Sequence, residues 1–447
     1  MKKYSLLLAF FLTACGGGGD SNPTPLITVS PTVSNFAQPV VTCTDPHNKD
    51  YPSTYNGWRP IPTASGVLPY SYKRGISFKD YYPGWIYDSA RGSIKNCTKD
   101  EYVKLMYTQS LDAMKANGTT MTWLYNFGQW NSKGTTWVVD KTNYHIPEPM
   151  VEFIVTEAKK RNIDIYYAWQ FSTQDTSRTD LVTLGESVSI EKLNKILDAH
   201  HTQIVEIARF AQRTGIKGIA ADWNAMNIGN LHDPVIKEAY ITKFSTIIDD
   251  IRKNYSGEIT WGQIGYVEND PRILNKIDAI HLSLGGPILS ETENVNLSPE
   301  VIKIAIEKQI YNMYKSYNCI SPSNCPHTTN KQVPVFFEIS VQSRDKYWTH
   351  GWVEDGFCVE GTTPVGTKTP CIQDTYIADF AVQAIGIEGI LRAITSQRDF
   401  TVKGVNFHTA YWHSNTLAPN YEGFPNLSQS IRGKPAEKIV KYWFTGT

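Results

Sequence analysis

The sequence predicts an α/β fold, a (β/α)8 TIM barrel in which eight parallel strands alternate with helices. About 400 residues follow the N-terminal segment, a length usual for such a barrel with long loops. Strand-like runs alternate with helix-like runs, which favours parallel strands joined by crossover helices. Aromatic residues cluster after the predicted strand ends, which share one face of a barrel. An open doubly wound sheet is the competing fold, but no Gly-rich phosphate loop follows the first strand.

The strands are predicted from short runs of apolar, β-branched and aromatic residues that are bounded by turn residues. The clearest run lies in 333–341, where Val, Phe and Ile surround a single Glu. In chain order the predicted strands are 72–78, 119–125, 162–171, 216–223, 257–262, 277–284, 333–341 and 403–408.

The helices are predicted where apolar residues recur every three to four positions. In 101–117, Leu105, Met106, Leu111 and Met114 fall on one face, and Gly118 ends the helix. Gly215 is the predicted end of the longest helix. The predicted helices are 101–117, 149–161, 190–214, 239–254, 299–317, 376–385 and 431–443.

The first residues have the pattern of a lipoprotein signal. A basic start, Met1 to Tyr4, precedes an apolar run that is much shorter than the roughly 20 residues needed to span a bilayer. Leu12-Thr13-Ala14-Cys15 resembles a bacterial lipobox, which predicts that Cys15 is lipidated. The predicted organisation is a signal peptide at 1–14, the anchor Cys and a flexible tether at 15–42, and one catalytic-type barrel domain at 43–447. Because Gly follows Cys15, resemblance to Gram-negative lipoproteins favours the outer membrane, facing the periplasm or the cell surface.

Composition favours a carbohydrate partner and argues against nucleic acid. The formal net charge is zero and no long charge run is present, whereas affinity for nucleic acid depends on basic patches. Aromatic residues make up 12% of the chain, with 12 Trp and 25 Tyr, and such a surplus suits stacking on sugars. We expect a monomer that binds carbohydrate and contacts the membrane through its anchor at Cys15.

Seven cysteines are present, and six remain once Cys15 is set aside. An even number in an exported chain is typical of disulfides. The two pairs that are close in sequence leave one distant pair, so the predicted bridges are Cys319–Cys325, Cys358–Cys371 and Cys43–Cys97. The spacings do not resemble zinc-binding pairs, and we predict neither a metal site nor a cofactor.

Glu338 and Asp222 end predicted strands and are the candidate catalytic residues. Barrel enzymes place catalytic carboxylates at the carboxyl ends of buried strands. Hydrolysis of a glycosidic bond needs two carboxyl groups, about 5–5.5 Å apart for retention and about 6.5–9.5 Å for inversion. In the alternative interpretation, Glu338 only marks where a strand meets solvent, and Asp222 is a cap or an ion-pair partner of Arg74 or Lys217.

Aromatic and polar residues after the strands are candidates for binding substrate. Indole faces attract the apolar face of a pyranose, and polar side chains bond its hydroxyls. The alternative for each Trp is core packing, and for the His residues a hydrogen-bonded wall. His200 and His201, within a long helix, are expected on a solvated face. The predicted sugar-contacting residues are Trp85, Trp130, Trp348, Trp412, Asn224 and His408.

Three stretches carry a family resemblance. They are 74–78 followed by Trp85, 334–339 followed by Ser343, and Gln373 before a helix. Together they resemble clan A glycoside hydrolases, most closely the β-mannanase-like glycoside hydrolase family 113. The resemblance implies that Glu338 is the nucleophile of a retaining mechanism.

The sequence departs from that pattern in two places. Clan A enzymes place the acid/base Glu directly after an Asn at the end of strand four, whereas Ala225 follows Asn224 here. A Tyr near the end of strand six is also not evident at 282–285. The acid/base residue therefore cannot be carried over from the resemblance. Asp222 supplies the proton from a shifted position, a carboxylate from a loop does so, or hydrolysis has been lost; Asp222 is the provisional choice.

We expect a glycoside hydrolase that acts on a polysaccharide or oligosaccharide outside the cytoplasm. Because the Asn-Glu pair is missing, a non-catalytic glycan-binding lipoprotein on a degenerate barrel is the alternative. A structural or adhesive lipoprotein with a protein partner is a third reading. A Ser-His-Asp hydrolase fits poorly, since no Gly-x-Ser-x-Gly elbow occurs.

Overall fold

A computed structural model describes residues 43, 59–78, 97–130, 137–139, 146–171, 187–222, 228–261, 270–317, 333–350, 378–398, 401–411 and 428–447. All of them belong to one compact unit, Thr42–Thr447. Within these ranges, no helix combines the length and the apolar character needed to cross a membrane.

Eight strands form a closed parallel barrel, as the sequence predicts. The order around the ring is β1-β9-β8-β7-β6-β5-β4-β2, and pairing of β1 with β2 closes it. A ninth strand, β3, was not predicted and pairs antiparallel with the end of β2. The strands are β1 Lys73–Phe78, β2 Met121–Trp130, β3 Trp137–Val139, β4 Asp164–Phe171, β5 Gly218–Ala220, β6 Glu258–Trp261, β7 Ala279–Leu284, β8 Val335–Ile339 and β9 Val402–Tyr411.

Helices follow the barrel strands and begin at local capping signals. Thr98 and Glu101 form a reciprocal capping box at the start of α1, and Gly215 ends α3 with a φ of 78°. The described helices are α1 Lys99–Ala116, α2 Glu148–Lys160, α3 Ile190–Thr214, α4 Pro234–Asn254, α5 Pro271–Leu274, α6 Glu291–Val295, α7 Pro299–Tyr317, α8 Tyr347–His350, α9 Phe380–Ser396 and α10 Pro435–Thr445.

The predicted α9 and α4 were too short. Asp379 caps the N-terminus of α9, and the helix continues past Gly386 and Gly389 to Ser396. These glycines allow close packing rather than ending the helix, because a Cβ on Gly386 would lie 2.1 Å from the Trp348 indole. Similarly, Asp233 and the following Pro start α4 earlier than the apolar pattern suggests.

Two apolar layers show which way each strand residue faces. The outer layer lies between the sheet and the helices, and it includes Val335, Phe337 and Ile339 of β8. A smaller cluster fills the barrel interior, with Phe336 from β8 among Met121, Trp123, Tyr125, Tyr166, Ala168, Ala220 and Ala279. Because side chains alternate along a strand, Glu338 also faces the interior.

The N-terminal arm is joined to the barrel by the predicted Cys43–Cys97 disulfide, with the two Cα atoms 5.4 Å apart. This bridge is confirmed. The other four predicted disulfide residues, Cys319, Cys325, Cys358 and Cys371, lie outside the described residues, as do Cys15 and Gln373.

Candidate active site

Glu338 lies inside the barrel near the carboxyl end of β8. Its residue is only 4% exposed, although a carboxylate is costly to bury without hydrogen-bond partners. The neighbouring strands supply those partners: β8 pairs with β9 so that Glu338 is level with Asn406. On the other side, β7 carries His281. This residue faces the barrel interior because it lies two positions after the inward-facing Ala279.

Both carboxylate oxygens of Glu338 have a nitrogen partner. The Asn406 side-chain amide donates to Oε2 at 2.7 Å. The Nδ1 of His281 lies 3.0 Å from Oε1. The His408 Nδ1 is farther away, at 4.0 Å from Oε2. The site is therefore a buried carboxylate that contacts an amide and an imidazole, with a second imidazole nearby.

Asp222 lies just beyond β5, two residues after the inward-facing Ala220. It is 7% exposed. In the ring order, β5 is three strands from β8, so these two strands lie on different sides of the barrel mouth. If Asp222 is the second carboxylate, it must reach a bound molecule from a different side of the barrel mouth than Glu338.

His200 supports the chain immediately before Asp222. It is buried, and its Nε2 donates to the Ala221 carbonyl at 2.7 Å. Burial lowers the pKa of His200 to about 4, although the hydrogen bond to Ala221 acts in the opposite direction. The expectation that His200 lies on a solvated face was wrong, because this face of α3 packs against the end of β5. His201, the next residue, is half-buried and pairs with Asp250.

His408 is the candidate substrate ligand that the structure places beside Glu338. Its side chain is 30% exposed. Its Nδ1 lies 2.9 Å from the Tyr125 hydroxyl, and the two rings meet edge to face. This partly exposed imidazole therefore lies close to the carboxylate at the mouth of the barrel.

Trp348 is not a sugar platform. It is fully buried (0% exposed), and its indole nitrogen donates to the Val382 carbonyl at 3.4 Å. The indole packs over Gly386 of α9, where no Cβ intervenes. The prediction was wrong because an aromatic residue that follows a strand can pack into the core against a helix as readily as it can line the barrel mouth.

None of the remaining sugar-contacting predictions is confirmed. Trp85, Asn224 and Trp412 lie outside the described residues. Trp130 was expected in the loop after the second strand, but it is the last residue of β2 itself.

The other buried carboxylates of the described ranges have structural partners. Asp379 caps α9 and lies 3.4 Å from Arg59. Glu388, within α9, accepts from the Trp443 indole at 2.6 Å and from Arg392 at 2.7 Å. Among the described residues, no three His, Cys, Asp or Glu side chains come together as a metal site.

Asn406 and His281 belong to the site but were not predicted as site residues. A usable signal was present, because polar residues alternate with apolar ones in Val405-Asn406-Phe407-His408 and in Ile280-His281-Leu282. In a strand whose apolar residues pack against helices, the alternating polar residues must face the interior.

Comparisons with known proteins agree on the fold. No family model matches the chain, and no curated protein sequence is similar to it. Among solved structures, a GH113 β-1,4-mannanase complex has a TM-score of 0.53 at 13% identity, covering 84% of this chain and 99% of the mannanase. The GH113 β-mannanase AaManA from Alicyclobacillus acidocaldarius, in complex with ManMIm, has a TM-score of 0.51 at 13% identity, covering 84% and 97%. The (β/α)8 barrel predicted from the sequence is thus confirmed, and it is the fold of these mannanases.

Proposed function

We propose that this protein is a retaining glycoside hydrolase with Glu338 as its nucleophile and Asp222 as its provisional acid/base. The observation that carries the proposal is the buried carboxylate of Glu338 at the inner mouth of the barrel, with nitrogen partners on both oxygens. In retaining hydrolysis such a carboxylate attacks the anomeric carbon while a second carboxyl group protonates the leaving oxygen. Asp222, beside the same opening, is the buried carboxylate of the described ranges that we assign to that second role.

The fold supports the same reaction class and suggests the first substrate to test. Active sites of this fold lie at the carboxyl ends of the strands, where Glu338 is found. The solved structures of similar fold include β-1,4-mannanases. A β-1,4-mannan is therefore the first polysaccharide to assay, with β-1,4-glucan and β-1,4-xylan beside it.

The central test compares sugar release by the wild-type protein and by Glu338→Gln. The variant keeps the side-chain shape but cannot form a glycosyl ester, so we expect kcat to fall about 10³-fold or more. Proton NMR of the first product formed should show retention at the anomeric carbon. Undiminished turnover by the variant would contradict the assignment.

Glu258→Gln is the matched control. Glu258 begins β6 at the opposite end of the barrel, where it accepts from the Tyr166 hydroxyl at 2.7 Å and pairs with Lys403 at 2.8 Å. Substitutions at this end of the barrel affect stability rather than chemistry. We therefore expect Glu258→Gln to lower the unfolding temperature while kcat stays close to that of the wild type.

A second candidate function is glycan binding without hydrolysis. The observation that favours it lies at 224–225. In clan A enzymes the corresponding Asn is followed by the acid/base Glu, whereas Asn224 is followed by Ala225 here. Calorimetry with oligosaccharides, alongside product analysis after long incubation, separates the two functions. Binding with no product at any time would support this candidate over hydrolysis.

We further infer that the protein is a lipoprotein of the outer membrane, anchored through Cys15. The support is the basic start, the short apolar run, the lipobox and the Gly-rich segment that follows. Cys15→Ser should move the protein from the membrane fraction to the soluble fraction and abolish labelling with radioactive palmitate. Cys319→Ser, which leaves the lipobox intact, is the control. Membrane association unchanged in Cys15→Ser would contradict the inference.

A further inference from the structure

Asn406 is placed to donate to Glu338 by the pairing of two strands. Their register puts the two residues side by side on β8 and β9, both facing the interior. Asn406 is fully buried, and its amide nitrogen donates to Glu338 Oε2 and also to Ser77 Oγ, at 2.7 Å and 3.2 Å. An amide nitrogen stabilises an ionised carboxylate at this distance, whereas an amide oxygen would repel it.

Ser77 determines which way that amide points. Its single hydroxyl hydrogen is donated to the Phe407 carbonyl at 3.2 Å. Only oxygen lone pairs are then left for Asn406 and for the Thr409 N–H, which donates at 3.0 Å. The hydroxyl can therefore accept from the Asn406 nitrogen but cannot donate to its oxygen. The amide oxygen instead lies over Gly75, where a Cβ would be 2.7 Å away.

His281 holds the other oxygen of Glu338. The imidazole is fully buried and stacks on Phe336, with centroids 5.3 Å apart and planes 19° apart. It also meets the edge of Trp123, at 4.7 Å. These rings fix its plane, and its Nδ1 lies 3.0 Å from Glu338 Oε1. Beside an ionised carboxylate, the proton belongs on Nδ1, which therefore acts as the donor.

We propose that Asn406 and His281 are positioning residues that together hold the Glu338 carboxylate in a fixed orientation, and that Ser77 fixes the Asn406 amide for this task. This proposal rests on the proposed function, because a carboxylate must be charged to act as a nucleophile and cannot then be the proton donor. Hydrogen bonds to both oxygens offset the cost of burying the carboxylate. The proton donor must then be another group.

The test follows the ionisation of Glu338 in the full-length protein, independently of activity. With ¹³C-labelled glutamate, the Glu338 carboxyl signal is the one that disappears in Glu338→Gln. The titratable side chains that face it among the described residues are His281 and His408, with the Tyr125 hydroxyl behind His408. Titration of this signal is measured together with the pH profile of kcat/KM.

Two variants should move the titration midpoint upward. Asn406→Asp puts a second carboxylate within hydrogen-bond distance, and two such groups share one proton, which raises the midpoint by about one pH unit or more. His281→Phe keeps the stacked ring but removes the donor, so the midpoint should rise as well. The acidic limb of kcat/KM should move in the same direction in both variants.

The matched control is Asn126→Asp. Asn126 is equally buried, but it bonds to Ile146 and Tyr167 and does not touch Glu338. It should leave the Glu338 midpoint unchanged. A midpoint that also stays at the wild-type value in Asn406→Asp and His281→Phe would overturn the proposal.

Ser77→Ala provides a second route that changes no residue in contact with Glu338. Without the Ser77 acceptor the Asn406 amide is oriented by Glu338 alone and is held less firmly, so kcat should fall about tenfold or more while KM changes much less. Wild-type kcat in this variant would also overturn the proposal. If the midpoints shift as expected but the wild-type protein releases no sugar, the proposed function fails while the positioning of Glu338 stands.

Discussion

Lowering the pH should destabilise this protein through His200. The imidazole is buried beneath the end of β5, and its pKa is about 4 in the folded chain against 6.5 for an ordinary histidine. Between these values the unfolded chain binds a proton that the folded chain does not. The contribution of His200 to stability is therefore fully present above pH 6.5 and is lost as the pH falls through 4.

The two pKa values set the size of the effect. A tenfold change in proton affinity corresponds to about 1.4 kcal/mol, so the whole window amounts to about 3 kcal/mol of unfolding free energy. Of this, about 2.5 kcal/mol should be lost between pH 7.5 and pH 4.5. Other groups also titrate in this range, so the effect must be isolated by a variant.

His200→Gln isolates it, because glutamine keeps an N–H donor for the Ala221 carbonyl but does not titrate. Urea unfolding gives the free energy of unfolding of wild type and variant at each pH. The value for the variant minus the value for the wild type should increase by about 2.5 kcal/mol when the pH is lowered from 7.5 to 4.5. His201→Gln is the control, since a partly exposed pair such as His201–Asp250 contributes at most about 1 kcal/mol. A stability difference for His200→Gln that is the same at both pH values would refute the reasoning.

Two further predictions concern stability. Trp348→Ala should lower the unfolding free energy by about 3–5 kcal/mol, because it empties a fully buried site against Gly386, and calorimetric sugar affinity should stay at the wild-type value. A large loss of affinity with little loss of stability would instead restore Trp348 as a sugar platform. Replacing both Cys43 and Cys97 by Ser should cost about 4 kcal/mol, measured by urea unfolding, since the bridge spans 54 residues. Equal stability in the reduced and oxidised wild type would contradict that figure.

The barrel could be predicted from the sequence because each strand and helix carries a local pattern of its own. The runs 190–214 and 299–317 agree with α3 and α7 residue for residue. The errors arose where local signals have two meanings. A glycine often marks the end of a helix. Gly386 instead lies inside α9, where it lets the Trp348 indole pack closely.

The candidate site was predictable only in part. Glu338 could be predicted from its own segment. The apolar residues around it indicate a buried strand, and that strand carries a single carboxylate. The partners of Glu338 depend on register between strands, and register follows from the closed ring rather than from any one segment. Asn406 is 68 residues from Glu338 along the chain, and no local pattern relates the two.

The first described residues join the barrel beside its mouth. Cys43 is bonded to Cys97, which directly precedes the cap of α1. Arg59 pairs with Asp379, which caps α9. Both helices follow barrel strands, so their first turns lie at the same end of the barrel as Glu338.

The last helix finishes at the other end. The Trp443 carbonyl of α10 accepts from the Leu68 N–H, just ahead of β1, at the base of the barrel. A reporter, tag or solid support fused ahead of Cys43 would accordingly crowd the mouth of the barrel, where Glu338 lies. The same fusion after Thr447 leaves the mouth clear, so this end of the barrel is the better place to attach a support or a display partner.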